Sequence, residues 1–367
     1  MRVKIEKLDN FGRGICFINN KICFVENALE DEEVDIDIIN ETTKYYVAKV
    51  INYYSKSKDR CNSCIYYDIC GGCSLDHMNY DKENEFKLNN ANSILKRIGK
   101  VDYTIKDIIY DKEYNYRNKI VLHSDGSRIG LYNNKSNDIV EIDNCRLVSP
   151  LINKLIKEIK SDDKETTIRV DNMDKDYLIS NSDKEFIYTN IGDIKYKINI
   201  NSFFQVNRFL TVKMYDLIKK YVLEFNPKSV LDLYCGVASI GIYVCHNTDI
   251  KLIGVDINED NINCAIDNIK LNNVNGEVYK SDVSKALRFI KDSDLVIVDP
   301  PRSGLDYKTI NVLNYSDVKR IIYVSCNITT LARDLNILNN YEIKDIKLFN
   351  MFPRTYHVEC VCVLELK

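Results

Sequence analysis

Cys326 and Glu359 are the residues of this chain best suited to covalent chemistry. They lie in Tyr323-Val324-Ser325-Cys326-Asn327 and in Met351-Phe352-Pro353-Arg354-Thr355-Tyr356-His357-Val358-Glu359. The first segment reads as a strand ending at the cysteine, and a thiol at the carboxyl edge of a sheet can attack a ligand bound there. The second sets a carboxylate among apolar neighbours (Val358, Cys360, Val361, Cys362, Val363, Leu364), where charge is costly unless it has a partner or a task. Together they suit methylation of uracil at carbon 5, a poor nucleophile. A thiolate adding to carbon 6 turns the ring into an enolate, carbon 5 attacks a methyl group, and a base removes the carbon 5 hydrogen so that the thiolate can leave. An ordinary thiol is only a few per cent ionised at neutral pH. Asn327, Arg333 or the N-terminus of the following helix is therefore expected to activate Cys326. Taken alone, Cys326 also fits a buried strand-end cysteine, and His357 competes with Glu359 as base. Nothing supports a Ser-His-Asp arrangement.

A methyl donor needs its own site. Val230-Leu231-Asp232-Leu233 runs into Tyr234-Cys235-Gly236-Val237-Ala238-Ser239, a glycine turn between strand and helix that lets a ligand approach the backbone. The next strand ends in Asp256, twenty residues past Gly236, placed to accept hydrogen bonds from ribose hydroxyls. A third strand delivers Asp282, near where an adenine amino group would sit. Gly236 and Gly241 do not form the G-x-G-x-x-G of a nicotinamide enzyme. The fourth strand ends in Asp299-Pro300-Pro301-Arg302; the prolines fix φ and hold the loop while Asp299 points inward. Enzymes that methylate exocyclic amines carry an aromatic residue where Arg302 stands, which weighs against that chemistry.

The elements that must position these residues follow from periodicity. Strands are predicted at 229–233, 252–255, 276–279, 295–298 and 320–324 with helices between, the pattern of a doubly wound parallel sheet in an α/β fold. Residues 1–58 read as about five short strands and predict a small barrel of the oligonucleotide-binding type. Residues 59–200 form a strand-rich central domain, with helices at 82–98 (Leu88, Ala91, Leu95 and Ile98 on one face, Gly99 ending it) and 151–159; residues 201–367 form the catalytic domain. The chain has 367 residues, enough for two or three domains, and a net charge of −3, so any basic surface must be local. No export signal and no long apolar run appears, so a cytoplasmic protein is expected. Thirteen cysteines without a secretion signal do not make a disulfide framework. Four cluster as Cys61-x2-Cys64-x5-Cys70-Gly-Gly-Cys73; a four-cysteine zinc site and unligated thiols are both open on spacing alone.

Taken in order, Phe204-Gln205-Val206-Asn207, Asp232-Leu233-Tyr234-Cys235-Gly236, Asp299-Pro300-Pro301-Arg302, Ser325-Cys326-Asn327 with Thr330-Leu331-Ala332-Arg333-Asp334, and Phe352-Pro353 through Glu359 resemble the RNA uridine-C5 methyltransferases over nearly the whole chain. The resemblance implies a Rossmann-like class I methyltransferase domain, Cys326 as nucleophile and Glu359 as general base. It implies S-adenosylmethionine contacts from Gln205, Tyr234, Ser239, Asp256, Asp282 and Asp299. It also implies that the barrel is similar to the RNA-binding TRAM domain, with the acidic stretch Glu30–Glu33 facing away from RNA. Cys64, Cys70, Cys73 and Cys145 would hold a [4Fe-4S] cluster of structural role, leaving Cys61 out, with zinc as the alternative. The usual C-x3-C-x2-C of radical chemistry is absent. Members with such a cysteine cluster act mostly on large-subunit ribosomal RNA, so 23S ribosomal RNA is the expected partner. Transfer RNA is the alternative, and an RNA-folding factor without catalysis is the reading from another class. Cytosine carbon 5 is disfavoured, because that nucleophile usually follows a proline in a different loop.

Overall fold

The alternating strands and helices of the last third build one eight-stranded sheet. Its order is Gly276–Lys280, Lys251–Asp256, Ser229–Leu233, Leu295–Val298, Arg320–Ser325, Glu359–Leu366, Tyr341–Phe349, Ile108–Ile109. The computed structural model describes residues 1–61, 64–159, 163–180 and 182–367. The first five strands are mutually parallel, and each of the five predicted strands is present to within a residue at either end. Leu295–Val298 is buried throughout, as a strand covered on both faces must be. One face packs under the helices Leu210–Phe225, Ser239–Cys245 and Glu259–Leu271; the other packs under Tyr307–Asn314, Ile328–Ile337 and the helix Tyr80–Ile94.

Glu359–Leu366 runs antiparallel between two neighbours, pairing Cys360 with Ser325 and Glu359 with Phe349. This direction matters for the chemistry. A parallel strand delivers its last residue to the carboxyl edge of the sheet, whereas an antiparallel one delivers its first. Glu359 therefore arrives beside the residue that follows Ser325.

Residues 1–55 form a six-stranded sheet. The strands Arg2–Lys4 and Lys7–Leu8 are its two edges, yet they belong to one short segment, so the sheet closes on itself around Ile5, Cys16, Cys23, Val25, Val34 and Ala48. Glu32, expected within an acidic surface stretch, is instead fully buried. Both its oxygens lie 2.6 Å from Arg60, a bidentate pair that seals the barrel against the cysteine segment. The central segment adds a five-stranded antiparallel sheet roofed by the helix Pro150–Glu158, which Ser149 caps. The hairpin Phe186–Asn199 leaves that sheet and packs in the same core as Leu210–Phe225.

The helix beginning at Tyr80 starts two residues earlier than predicted, because Asn79 caps the Lys82 N–H, and its last turn widens into a π-turn over Leu95–Gly99. Its buried face is not the Leu88 stripe alone. Glu83 and Lys87 are sealed from solvent, 2.8 Å apart, and Lys87 also donates to Asn350 at 2.6 Å and to the Phe352 carbonyl at 3.1 Å. Glu83 accepts the Arg354 N–H, and the Arg354 carbonyl accepts the N–H groups of Ser74 and Leu75. Arg354 has φ +68° and its guanidinium pairs with Glu113 and donates to the Met78 carbonyl. Among the described residues no helix is long and apolar enough to cross a membrane.

Candidate active site

The turn after Ser229–Leu233 carries three residues at positive φ: Tyr234, Gly236 and Ala238. Gly236 donates its N–H to Asp256 Oδ2 at 2.9 Å, and Asp256 Oδ1 accepts from the Asn258 N–H at 2.8 Å and from Asn261. The second strand end is thereby tied to the glycine turn of the first. Asp282 accepts the Ser284 N–H and hydroxyl through one oxygen, and these bonds hold its carboxyl below the usual range. Burial and the neighbouring Asp306 push the Tyr234 phenol up to about 12. Gln205 is buried, with its carbonyl on Asn118. Ser239 is buried as well, and its hydroxyl meets that of Tyr215 at 2.8 Å, so its polar group is committed to the helix packing.

Asp232 joins this edge, although its place inside a strand did not mark it as a site residue. It is buried, one oxygen accepts the Gly241 N–H at 3.0 Å, and the other has no partner among the described residues. Burial lifts its carboxyl to about 8. Its unpaired oxygen lies sealed behind the glycine turn, so the acid sits under the backbone of the ligand edge rather than on its surface. The sequence signal was an acid inside the first strand, one that reads as core until its partner is missing.

At the reactive edge two loops are locked together. Asn327 caps the helix Ile328–Ile337 through the Thr329 N–H and donates to the Arg302 carbonyl at 2.9 Å. Arg333 donates to the carbonyls of Ser303 and Leu305, while Asp334 accepts the Leu305 N–H and the Tyr323 hydroxyl. Gly304, at φ +77°, has no room for a Cβ against Arg333 and Asp334. These bonds fix Asp299-Pro300-Pro301-Arg302 over Cys326.

Cys326, Glu359, Asp299 and Arg302 consequently share one electrostatic environment. Burial lifts the Cys326 thiol to about 12, with Glu359 and Asp299 adding to the rise and Arg302 opposing it. Burial raises Glu359 well above the carboxylate range; Asp299 raises it further and Arg302 again opposes. Asp299 keeps some contact with the cleft, yet its enclosed setting brings it to about 7. Arg302, rather than Asn327 or Arg333, is thus the group that favours the thiolate, because the other two are spent on capping and loop bonds. Burial and the cations Arg302, Lys87 and Arg117 push His357 down to about 4, which leaves it a weak base beside Glu359. A cavity of about 370 Å³ opens above Cys326, walled by Arg302, Asn327, Tyr356 and His357, by Asn90 and Ile94, and by Asn10 and Phe11 of the barrel.

A second, smaller cavity of about 40 Å³ is lined by Cys64, Cys70, Cys73 and Cys145. Cys61 lies off it and donates to the carbonyls of Met78 and Asp76. The N–H groups of Leu147 and Val148 are directed at the Cys145 sulfur, and that of Gly72 at Cys70. Among the described residues, no three His, Cys, Asp or Glu side chains converge as they would on a single metal ion. Of the remaining cysteines, Cys16, Cys23, Cys235, Cys245, Cys264, Cys360 and Cys362 are buried, as expected of small apolar side chains.

A largely parallel sheet with this strand order and a glycine turn facing acidic strand ends is the architecture of a nucleoside-binding α/β domain, here joined to an N-terminal barrel. Residues 173–367 match the family model described as tRNA (Uracil-5-)-methyltransferase, and residues 1–51 match the TRAM domain. A Clostridium acetobutylicum protein named as an uncharacterized RNA methyltransferase is 30% identical over 99% of this chain and 96% of its own length. One from Aquifex aeolicus with the same description is 30% identical over 100% and 99%. The crystal structure of Pyrococcus abyssi tRNA (uracil-54, C5)-methyltransferase in complex with S-adenosyl-L-homocysteine is similar over 99% of both chains, at 28% identity and a TM-score of 0.82. The chain belongs to the tRNA (uracil-5-)-methyltransferase family.

The electrostatics yield a pH dependence. Arg302 lowers the thiol's pKa, so Arg302→Gln should alkylate Cys326 several-fold more slowly at pH 8 and need a more alkaline pH to reach the wild-type rate. Peptide mass spectrometry after timed iodoacetamide exposure reads this for Cys326 alone. An unchanged rate at pH 8 would remove Arg302 from the role.

Proposed function

We propose that the chain methylates carbon 5 of a uridine in 23S ribosomal RNA, in the cytoplasm, through a covalent bond from Cys326 to carbon 6. The observation that carries this reading is the antiparallel last strand, which sets the buried Glu359 in the electrostatic field of Cys326 and Arg302. S-adenosylmethionine supplies an electrophilic methyl group at the edge formed by Gln205, Tyr234, Gly236, Asp256, Asp282 and Asp299, with Asp232 behind the turn. Ser239 takes part through the helix it begins rather than through its hydroxyl.

The steps asked of the protein are few. The Cys326 thiol gives up its proton to solvent, and Arg302 stabilises the resulting thiolate, which adds to carbon 6 and sends the ring electrons toward the carbon 4 oxygen. Carbon 5 takes the methyl group as its bond to the donor sulfonium breaks, leaving S-adenosylhomocysteine. Glu359, its own proton first released to solvent, then accepts the carbon 5 proton as a carboxylate, the double bond re-forms, and the carbon–sulfur bond breaks to return the thiolate. A raised carboxyl pKa makes Glu359 the stronger base for that step. The uridine must first leave its stack, at a cost of about a few kcal/mol, and the barrel (1–58) and central domain (59–200) supply the contacts that offset it.

The central domain holds a [4Fe-4S] cluster on Cys64, Cys70, Cys73 and Cys145 in this reading. Four thiols around one cavity, with amides aimed at two of the sulfurs, support it. A second reading of the substrate, the T-loop uridine of transfer RNA, is favoured by the named substrate of the Pyrococcus abyssi relative.

Two measurements test the proposal. Incubated with S-adenosylmethionine and unmodified RNA, the protein should yield 5-methyluridine in 23S ribosomal RNA, detected by nucleoside mass spectrometry, and Cys326→Ala should yield none. Product in transfer RNA alone would keep the reaction and replace the substrate; none in either RNA would favour the non-catalytic folding factor. Anaerobically isolated protein should contain iron and sulfide, lost in Cys64→Ala and kept in Cys61→Ala; zinc without iron would overturn the cluster.

A further inference from the structure

We propose that the tip of the N-terminal barrel is a wall of the catalytic pocket, and that Phe11 stacks on an unstacked nucleobase of the bound RNA strand. The inference rests on the RNA methylation reading above and adds a specificity-determining residue from outside the catalytic domain.

Phe11 is half exposed, absent from the barrel core, and yet lines the same cavity as Cys326 and Arg302. Its ring meets Tyr356 edge to face at 5.1 Å, and Tyr356 leans on His357 at 4.2 Å. An aromatic ladder thus runs from the barrel to the residues just before Glu359, its outermost ring half exposed with the Arg13 guanidinium 5.5 Å from its centroid.

The turn that carries Phe11 is also rigid, which a stacking wall requires. Asp9 accepts the N–H groups of Phe11 and Arg13, each at 2.9 Å, and its carboxylate pairs with the Arg13 guanidinium. Gly12, at φ +83°, sits so close to Leu75 that a Cβ would lie 2.2 Å from its Cδ2. Asn90, on the helix that also carries Lys87 and Glu83, donates to the Asn10 carbonyl at 3.1 Å. The tip is therefore seated against Leu75, the helix Tyr80–Ile94 and Tyr356 before any RNA arrives. A cavity of about 370 Å³ falls within the roughly 300–1,000 Å³ of sites that take a small ring-bearing ligand. Its mixture of apolar rings with the Arg302 charge suits a base attached to phosphate, since aromatic rings stack on every base.

The test compares wild type, Phe11→Ala, Phe11→Tyr and Cys326→Ala in single-turnover methylation of the RNA that wild type modifies. S-adenosylmethionine affinity and RNA affinity are measured alongside. Phe11→Ala should slow methyl transfer tenfold or more, the scale of one lost base–ring stack, with S-adenosylmethionine affinity unchanged. Phe11→Tyr, which keeps the ring, should recover most of the rate. A wild-type rate in Phe11→Ala, or a Phe11→Tyr as slow as Phe11→Ala, overturns the wall while leaving the reaction standing. Failure of wild type itself to methylate RNA overturns the reaction, and this inference with it.

Discussion

Glu83 and Lys87 are charged, lie one turn apart on a single helix, and are closed off from water, while Arg354 comes from the far end of the chain to share the same carboxylate. Removing one member of such a buried set leaves an uncompensated charge and typically costs about 3–5 kcal/mol. The segment from Asn350 to His357 has little regular structure of its own, and this set of bonds is what gives it one path. That path delivers Tyr356 and His357 to the cavity and starts the last strand at Glu359. Through Ser74, Leu75 and Met78 the same residues hold the cysteine segment, and through Asn90 the same helix holds the barrel tip. Three regions distant in sequence are thus registered to one another by one ionic centre.

Within the site, enclosure governs the chemistry. A thiol at about 12 and a carboxyl above its usual range are both held in their neutral forms at rest, which keeps a reactive thiolate from idle oxidation or alkylation. The cation beside them, Arg302, hangs from a loop that Asn327, Thr330, Arg333 and Asp334 fasten in place. The nucleophile and its electrostatic support are consequently carried on the same two loops, and their separation is set by backbone bonds rather than by flexible side chains.

Much of the sheet was readable because parallel, doubly covered strands are continuous apolar runs: Leu295–Val298 announces itself with no knowledge of its neighbours. Cys326 and Asp256 could be inferred for the same reason, since residues at such strand ends reach the ligand edge. The buried charges could not. Glu83, Lys87 and Glu32 look like solvent-facing residues locally, and only partners far along the chain, or, for Glu32, on Arg60, make their burial tolerable. Arg302 as the charge beside the thiol is not legible in the sequence because its role depends on loop closure, and Asn327 and Arg333 stand closer to Cys326 along the chain. Asp232 escapes because an orphaned oxygen is visible only once every other partner has been placed.

The central claim is that Cys326 bonds to carbon 6 and that the bond breaks only after carbon 5 loses its hydrogen. RNA bearing 5-fluorouridine at the modified position tests this most directly, because fluorine cannot be removed by a base as a proton can. With S-adenosylmethionine present, the account predicts a stable protein–RNA adduct whose linkage peptide mass spectrometry locates at Cys326. An adduct on another cysteine, or methyl transfer with no adduct, would contradict it.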